Sequence, residues 1–547
     1  AFFEFGAIEV VHRADVPVDA EVHNSLINFR VKRSGQKKTR WCDDGRCVKR
    51  LDAARAADVP EGQDDAPCTS SAETRVYSSP CADNQCTMLF AALCVAYGYT
   101  PCAGDAVNAF LQSDPLEDHY ACFMRPPRFL FDYLARRYEG SIPYDPRDVL
   151  FRMIKPVYGH PRASAKWYET FVGFIVDVLG FIVTDFHPCF FVRPESDGPP
   201  TLMISVVDNV PLAGQPHHVA AVRAALSDRF VMTWDERADD VCGLWFDYRD
   251  DGSIFVHQRG YIDKLLAHLG FDGRGPAPAT PMREDFTVDP NVRDDTVDDT
   301  PLPPVRPREA IGYLMFLRST IPTLSRAVHT LATATNVWQY KHARQLARAL
   351  WWLAGHRDLG VLFAARFRGQ FALRVFVDEN LGCELATGAR GAALSRLGGC
   401  ILLNGGCVYS ASRRAAATCH NTPEIALLAL SHMIRHLVPI RRLLYLANGV
   451  LPDRTVVRCD NQAALKAVRR RVLSPMMRHL RLALNAVIAA NDAYDTVLKY
   501  IRSGVNPADV FTSGESADVF VRNTHFVSGT RDPAAPDFTA VSPLPRG

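Results

Sequence analysis

Two sets of acidic residues stand where a folded chain could use them for chemistry. Asp208 lies between two apolar runs in Thr201 to Gly214, TLMISVVDNVPLAG. Residues 202–207 read as a buried strand, and Pro211 with Gly214 is expected to limit the strand after the turn, so the acid falls at the tip of a hairpin. A rigid scaffold commonly presents reactive groups this way. Asp-Asn also suits an ordinary hairpin turn, and the stretch alone leaves both readings open. Asp105 precedes a short apolar stretch, with Phe110 five positions on. Further along, Asp378 ends the run Val375-Phe376-Val377. Glu424 follows Pro423 at the start of a long helical pattern. Asp460 follows the strand-like Thr455 to Cys459, and Asp509 lies in Asn506-Pro507-Ala508-Asp509-Val510. Carboxylates are the hard oxygen ligands that magnesium takes. Two of these acids also have a plain structural reading. Glu424 suits the first turn of a helix, and Asp509 suits a helix start.

The elements that must position these acids can be read in order. With 547 residues the chain is too long for one core. Its 48% apolar and 22% charged residues describe a globular protein with no membrane association, since no run of about 18 apolar residues occurs. A net charge of +2 confines any nucleic-acid contact to local basic surface. One such patch is Lys32, Arg33, Lys37, Lys38 and Arg40, which reads as a solvated hairpin or a phosphate contact. Fifteen cysteines are scattered without a paired metal-ligand pattern, Cys42/Cys47 and Cys81/Cys86 coming nearest. Free thiols, mostly buried, in a reducing compartment are expected. The start has no basic stretch before its apolar residues and no Met, so a piece cut from a longer polypeptide is expected rather than a signal peptide. Residues 52–75 read as an exposed connection. Helices are expected over 84–98, over 165–180 with Gly180 as its stop, within 309–356, and from Glu424 onward. Residues 398–412 read as a hairpin around Asn404-Gly405-Gly406. Residues 283–308 are a linker by composition, and 516–547 are expected to be disordered.

The order of these pieces resembles the reverse transcriptase of copia-type LTR retrotransposons. Asp105 to Leu111 is similar to that family's Asp-Val-x-x-Ala-Phe-Leu motif, and Tyr158-Gly159 to its Tyr-Gly-Leu-x-Gln. Trp167-Tyr168 matches its Trp-Tyr helix, and Asp185 to Phe190 its Asp-x-x-x-Cys-x-Phe. Val206 to Asn209 with Ala213-Gly214 matches its Tyr-Val-Asp-Asp hairpin. Leu244 to Phe271, Thr280-Pro281-Met282 and Gly312 to Phe316 resemble later landmarks. Val375 to Asp378, Cys459-Asp460-Asn461-Gln462-Ala463 and Ala508-Asp509-Val510 resemble the ribonuclease H that follows the polymerase. The resemblance covers residues 23 to 515.

It implies a multidomain α/β and α+β chain: a right-hand polymerase with fingers, palm and thumb-like parts, then a ribonuclease H-like domain. The expected division is 1–250 for fingers and palm, 251–368 for a thumb or connection, 369–515 for ribonuclease H and 516–547 for the tail. Asp105 and Asp208 are expected to meet on one palm sheet as metal ligands. Lys38 and Arg40 in Lys-Thr-Arg-Trp are expected to contact the incoming triphosphate, and Phe110 to exclude a ribose 2′-hydroxyl, a role compatible with core packing. Asp378, Glu424, Asp460 and Asp509 are expected to form the hydrolytic centre. Each centre would hold two Mg2+ or Mn2+ ions, about 4 Å apart. The implied partners are an RNA template, a DNA primer, RNA–DNA hybrid and deoxynucleoside triphosphates. Other Gag and Pol parts would belong to the same precursor, in cytoplasmic virus-like particles with a nuclear phase. Arg469, Arg470, Arg471, Arg478 and His479 read as a phosphate track or as a solvated helix face.

The chain departs from the family at three places. Asn209 stands where a second Asp is usual, Val206 replaces a Tyr, and His160-Pro161-Arg162 replaces Leu-x-Gln. An Asn can ligate a metal through its carbonyl but brings no charge. The polymerase is therefore expected to be the weaker activity. A decayed or repurposed remnant that binds nucleic acid without polymerising is the competing reading. A transposase or integrase is disfavoured by the upstream half and by the lack of a His/Cys zinc module.

Overall fold

The computed structural model describes residues 2–17, 20, 22–31, 37–43, 79–117, 122–126, 148–271, 276–286, 288, 306–385, 393–415, 419–450, 453–493 and 495–530. The expected connection at 52–75 lies outside them, as does most of the linker at 283–308.

The first half is built around a six-stranded sheet. Its order is Met232–Asp235, Cys102–Ala106, Asn209–Ala213, Thr201–Ile204, Phe190–Arg193 and Ile182–Val183. All its pairings are antiparallel. The strand expected over 202–207 stops at Ile204, because Val206 to Asn209 form the turn and Val207 takes a left-handed φ of 59°. Pro211 does not limit the next strand. That strand runs from Asn209 to Ala213 between two neighbours, with Pro211 set opposite Ala103. Having no N–H, Pro211 leaves that strand one ladder bond short without ending it.

Helix Asn84–Tyr97 is capped by the Asp83 side chain, which accepts from the Cys86 N–H at 2.8 Å, and it ends at left-handed Gly98. Every residue from Cys86 to Ala96 is buried. A helix that is apolar all round must be covered all round. This one is enclosed by the six-stranded sheet, by the hairpin Leu244–Tyr248/Ile254–His257 and by residues of the C-terminal sheet. Helix Ala163–Asp177 packs Trp167, Phe171 and Ile175 against the other face of the six-stranded sheet.

The hairpin Leu244–Tyr248/Ile254–His257 pairs onward with Gly360–Phe363. This sheet crosses the expected boundary at 250/251, since Tyr248 is opposite Ile254. Helices Pro307–Phe316, Ser325–Thr333 and Tyr340–Gly355 fill the stretch expected to be helical.

The C-terminal sheet has five strands in the order Gly406–Arg414, Ala393–Leu403, Leu373–Leu385, Thr455–Cys459 and Thr496–Tyr500. The first three are antiparallel and the last two pairings are parallel. The 27-residue helix Thr422–Asn448 covers one face, and helices Gln462–Arg470 and Arg481–Asp492 flank it. The expected disordered tail is corrected in its first part. Residues 517–527 form a helix whose Phe520 and Val527 are buried, with Phe520 against Trp352 and Phe526 edge-on to Phe376. Apolar residues on one helical face outweighed the Ser- and Asp-rich composition. Residues 531–547 lie outside the described part. The described cysteines are free thiols, most of them buried, while Cys81 is exposed. Among the described residues no helix is long and apolar enough to cross a membrane.

A buried cation ties the helical region to this sheet. Arg396 is 2% exposed and donates to Ser412 Oγ at 2.8 Å, to Thr330 Oγ1 at 2.9 Å and to His329 Nδ1 at 3.2 Å. Burial, then Arg396, Arg318, Arg414 and Arg413, pushes His329 down to about 3, so it accepts as a neutral ring. The unfolded chain therefore takes up a proton near pH 6.5, well before the folded one does. Stability from this ring is expected to be intact above pH 6.5 and lost progressively as pH falls towards 3. Urea unfolding of His329→Asn at pH 7 and pH 4.5 should show a smaller acid loss than the parent chain. Equal losses in both chains would remove the assignment.

Candidate functional site

Two centres emerge, one on each sheet. In the first, Asp105 lies near the end of strand Cys102–Ala106, directly opposite Asn209 on one side and Thr233 on the other. Side chains of directly opposed residues share a face, with Cβ atoms about 5 Å apart. The adjacent Asp208 accepts the Ala106 N–H through its carbonyl at 2.8 Å. The fold thus brings Asp105, Asp208 and Asn209 to one place. The turn is closed by Val206 N–H to Asn209 O at 2.8 Å and the reverse bond at 3.1 Å. Trp167 pins it from below, its indole N–H donating to the Val207 carbonyl at 2.6 Å. Asn209 Oδ1 is buried and has no hydrogen-bond partner.

Phe110 follows in the 3-10 turn Ala109–Gln112, half-buried, its ring 5.1 Å from that of Tyr158. Tyr158 is held in turn by its carbonyl, which accepts the Asp43 N–H at 2.6 Å. Asp43 ends the hairpin Ser25–Val31/Lys37–Asp43 that carries the expected triphosphate contacts. The side chains of Lys38 and Arg40 lie outside the described residues. Arg162 is buried, beside Glu169 at 3.4 Å and Glu117 at 3.8 Å, and Lys166 donates to Glu117 at 2.8 Å. Burial pushes neighbouring His160 down to about 4. The His-Pro-Arg segment is thus built into the framework by ion pairs and burial.

The second centre is enclosed by more of the chain. Asp378 is buried in strand Leu373–Leu385, and Val377 beside it is level with Cys459 of the parallel neighbour. Asp460 therefore leaves its strand next to Asp378. Asp509 arrives on the 3-10 turn Pro507–Phe511. The Asn506 side chain fixes that turn, donating to the Val377 carbonyl at 3.0 Å and accepting the Ala508 N–H at 3.2 Å. Gly398, opposite Asp378, lets the turn lie against the sheet, since a Cβ there would sit 2.7 Å from Phe511 Cβ and Thr512 Cγ2. The Thr512 hydroxyl donates to Asp378 Oδ2.

One oxygen each from Asp378, Asp460 and Asp509 lies within 4.8 Å of the others. Burial, then Asp460, pushes Asp378 up to about 7. Burial, then Asp378 and Asp460, pushes Asp509 up to about 9, and burial raises Asp460 as well. Carboxylates so placed resist ionising together unless a cation neutralises them. Asp509 Oδ1 is buried without a hydrogen-bond partner, an acceptor for which the protein supplies no donor. The residues fit a divalent cation.

Glu424 does not join this group. It is fully buried in the first turn of helix Thr422–Asn448, and its oxygens accept the His420 N–H at 2.8 Å and the Asn421 amide at 3.0 Å. The plain reading of a first-turn acid describes it better. Sequence reading missed Glu379, which groups with Cys459 and Asp460. Asn461 donates to Glu379 Oε1 at 2.8 Å, and burial, then Asp378 and Asp460, pushes Glu379 up to about 8. Its place beside Asp378 was visible, but strand alternation assigns neighbours to opposite faces, so nothing marked it. Of the expected phosphate track, Arg471 is committed to Asp492 through bonds of 2.9 and 2.6 Å, while Arg469, Arg470, Arg478 and His479 are exposed.

No family model matches the chain. The chain is 22% identical over 432 residues to the retrovirus-related Pol polyprotein from transposon RE1 of Arabidopsis thaliana, covering 78% of this chain and 27% of that protein. It is 24% identical over 379 residues to the one from transposon RE2 of the same plant, covering 69% and 24%. The chain thus spans about a quarter of the length of these curated relatives. Among solved structures it is similar to a foamy viral protease-reverse transcriptase in complex with RNA/DNA hybrid, at a TM-score of 0.44, 12% identity and coverage of 90% and 51%. A foamy viral form solved with double-stranded DNA gives 0.41, 12%, 92% and 68%.

Proposed function

We propose that this chain, a relative of copia-type retrotransposon Pol polyproteins, is an RNA-directed DNA polymerase joined to a ribonuclease H, with the ribonuclease H centre the better furnished. The observation that carries the reading is the convergence of Asp378, Asp460 and Asp509 within 4.8 Å. Such a set suits two Mg2+ or Mn2+ ions, which would supply the activated nucleophile and steady the leaving oxygen when bound. The chain's own part is to hold the acids in place. Thr512 orients Asp378, and Asn506 sets the turn that delivers Asp509. Exposed Arg469 and Arg470 are suited to the phosphates of a hybrid. In the palm, Asp105 and Asp208 would hold the metals, Phe110 would lie under the sugar of a deoxynucleoside triphosphate, and Lys38 and Arg40 would meet its phosphates. RNA template and DNA primer are the remaining partners, and other Pol and Gag parts would come from the same precursor.

Hybrid cleavage and primer extension by one purified preparation test the reading. Cleavage with Mg2+ or Mn2+ supports it, and no cleavage with either metal removes it. A second reading, a remnant that binds nucleic acid without polymerising, is favoured by one observation: neutral Asn209 stands directly opposite Asp105.

Phe110 gives a separate expectation. Phe110→Ala should admit ribonucleotides, lowering the preference for deoxynucleotides by on the order of tenfold or more, the scale of a lost pocket contact. Competitive incorporation measures this in any extension the chain supports. Unchanged sugar discrimination would place Phe110 in packing alone.

A further inference from the structure

Behind the palm, at the end of its hairpin away from Asp208, four side chains meet that neither centre uses. Helix Pro216–Arg229 begins there with His217 and His218. The loop from Arg193 to Thr201 passes over them with Glu195 and Asp197. His217 Nε2 is 3.0 Å from Asp197 Oδ2, and His218 Nε2 is 2.7 Å from Asp197 Oδ1. Adjacent residues on a helix point about 100° apart, so two rings aimed at one carboxylate are not the default of helical geometry. Their centroids are 3.9 Å apart. One oxygen and two ring nitrogens all lie within 4.8 Å of one another.

Glu195 supplies a second, independent feature. Its side chain is 9% exposed and its Oε2 is 3.4 Å from His218 Nδ1. Its Oε1 accepts from Arg193 at 2.8 Å and from Thr201 Oγ1. His218 is thus held between two carboxylates, one on each nitrogen. Metal-ligating histidines commonly donate the far ring N–H to a carboxylate, which fixes the tautomer and the ring plane. The loop is also fitted to the helix start: a Cβ at Gly198 would come within 2.1 Å of the Gln215 side-chain amide. An ordinary exposed ion pair needs none of this support and contributes little.

We propose that Asp197, His217 and His218 form a site for a borderline divalent cation, zinc first, with Glu195 as the positioning residue for His218. Imidazole with carboxylate suits zinc, copper or nickel, whereas magnesium and manganese take oxygen sets such as the one around Asp378. Three protein ligands leave a fourth, tetrahedral position for water. A bound ion would clamp the loop before Thr201 onto the helix after Ala213, at the base of the hairpin whose other end carries Asp208.

The test uses the full chain stripped with a chelator and titrated with Zn2+ against a chromophoric competitor. One saturable equivalent is expected, unaffected by millimolar Mg2+. Co2+ in its place should give the visible absorption of a four-coordinate nitrogen and oxygen site. The double variant His217→Ala/His218→Ala should lose this equivalent, and Glu195→Gln should weaken it about 10- to 100-fold. Asp460→Asn should keep it, which separates it from the acidic centre. His217 is 59% exposed, whereas His218 and Glu195 are 16% and 9% exposed, so circular dichroism and the unfolding midpoint of each variant check that it folds as the parent does. The absence of a saturable equivalent, or one that survives in the double variant, overturns the site. Unchanged affinity in Glu195→Gln overturns the positioning role. Loss in Asp460→Asn moves the ion to the acidic centre and overturns the site as well.

Discussion

Asp460→Asn should lower cleavage of an RNA–DNA hybrid by a hundredfold or more. Asp460 is the acid common to two groups, with an oxygen within 4.8 Å of those of Asp378 and Asp509 in one and of the Glu379 and Cys459 ligand atoms in the other. The amide can still offer a carbonyl oxygen, but without the charge the centre would hold a cation less tightly and leave the developing charge of the reaction less stabilised. Electrostatic stabilisation is commonly the largest catalytic contribution, and a few kcal/mol correspond to about a hundredfold or more in rate. The substitution relieves crowding among acids that burial already pushes up, so the variant is expected to fold, and its unfolding midpoint checks that. Glu424→Gln provides the contrast. Its carboxylate caps its own helix through His420 and Asn421, so the amide should cost stability and retain most of the cleavage rate. Rates measured at saturating Mg2+, with unfolding midpoints for each variant, decide between the two. Wild-type cleavage by Asp460→Asn would show that the acids are not the reacting centre. A loss in Glu424→Gln as deep as that in Asp460→Asn would place Glu424 among the metal ligands after all.

Asn209→Asp should raise primer extension by on the order of tenfold or more, the largest gain expected from a single change in the palm. The position is directly opposite Asp105, at the start of its strand, with its side-chain oxygen buried and without a hydrogen-bond partner. A carboxylate fits the same volume and restores a negative charge where cations would bind. Recovery should be partial, because Arg162 is committed to Glu117 and Glu169 and offers no substitute for the missing Gln. Extension of a labelled primer with Mg2+ and with Mn2+, using one preparation of each chain, reads the effect. Robust extension by the unmodified chain, with no gain from Asn209→Asp, would show that the neutral residue is no lesion. No extension by either chain would favour the nucleic-acid-binding remnant.

Much of this organisation was legible in the amino-acid sequence because it is local. The turn at Asp208 comes from two apolar runs with Asp-Asn between them, and the long helix after Pro423 from its apolar spacing and cap. The stretch 84–98 reads as a helix from apolar residues at helical spacing, while the burial of every residue from Cys86 to Ala96 came only with the fold. Local signals were misleading where composition competed with periodicity. The Ser- and Asp-rich end concealed the helix Ala517–Val527, whose Phe520 and Val527 dock into the core. The hairpin Leu244–Tyr248/Ile254–His257 crosses an expected boundary because its own turn falls there, with Tyr248 opposite Ile254.

What only the tertiary structure decided is which acids share a site. Four were equally eligible by position, and two of them, Glu424 and Asp509, also had a plain structural use. Parallel pairing of Val377 with Cys459 sets Asp378 beside Asp460, and the bond from Asn506 to Val377 swings Asp509 in. Glu424 is withheld because its nearest donors are its own helix cap, and Glu379 enters because Asn461 holds it from the neighbouring strand's end. These pairings join residues that are roughly 80 to 130 positions apart. Their energies belong to the folded arrangement and leave no trace in the spacing of the sequence.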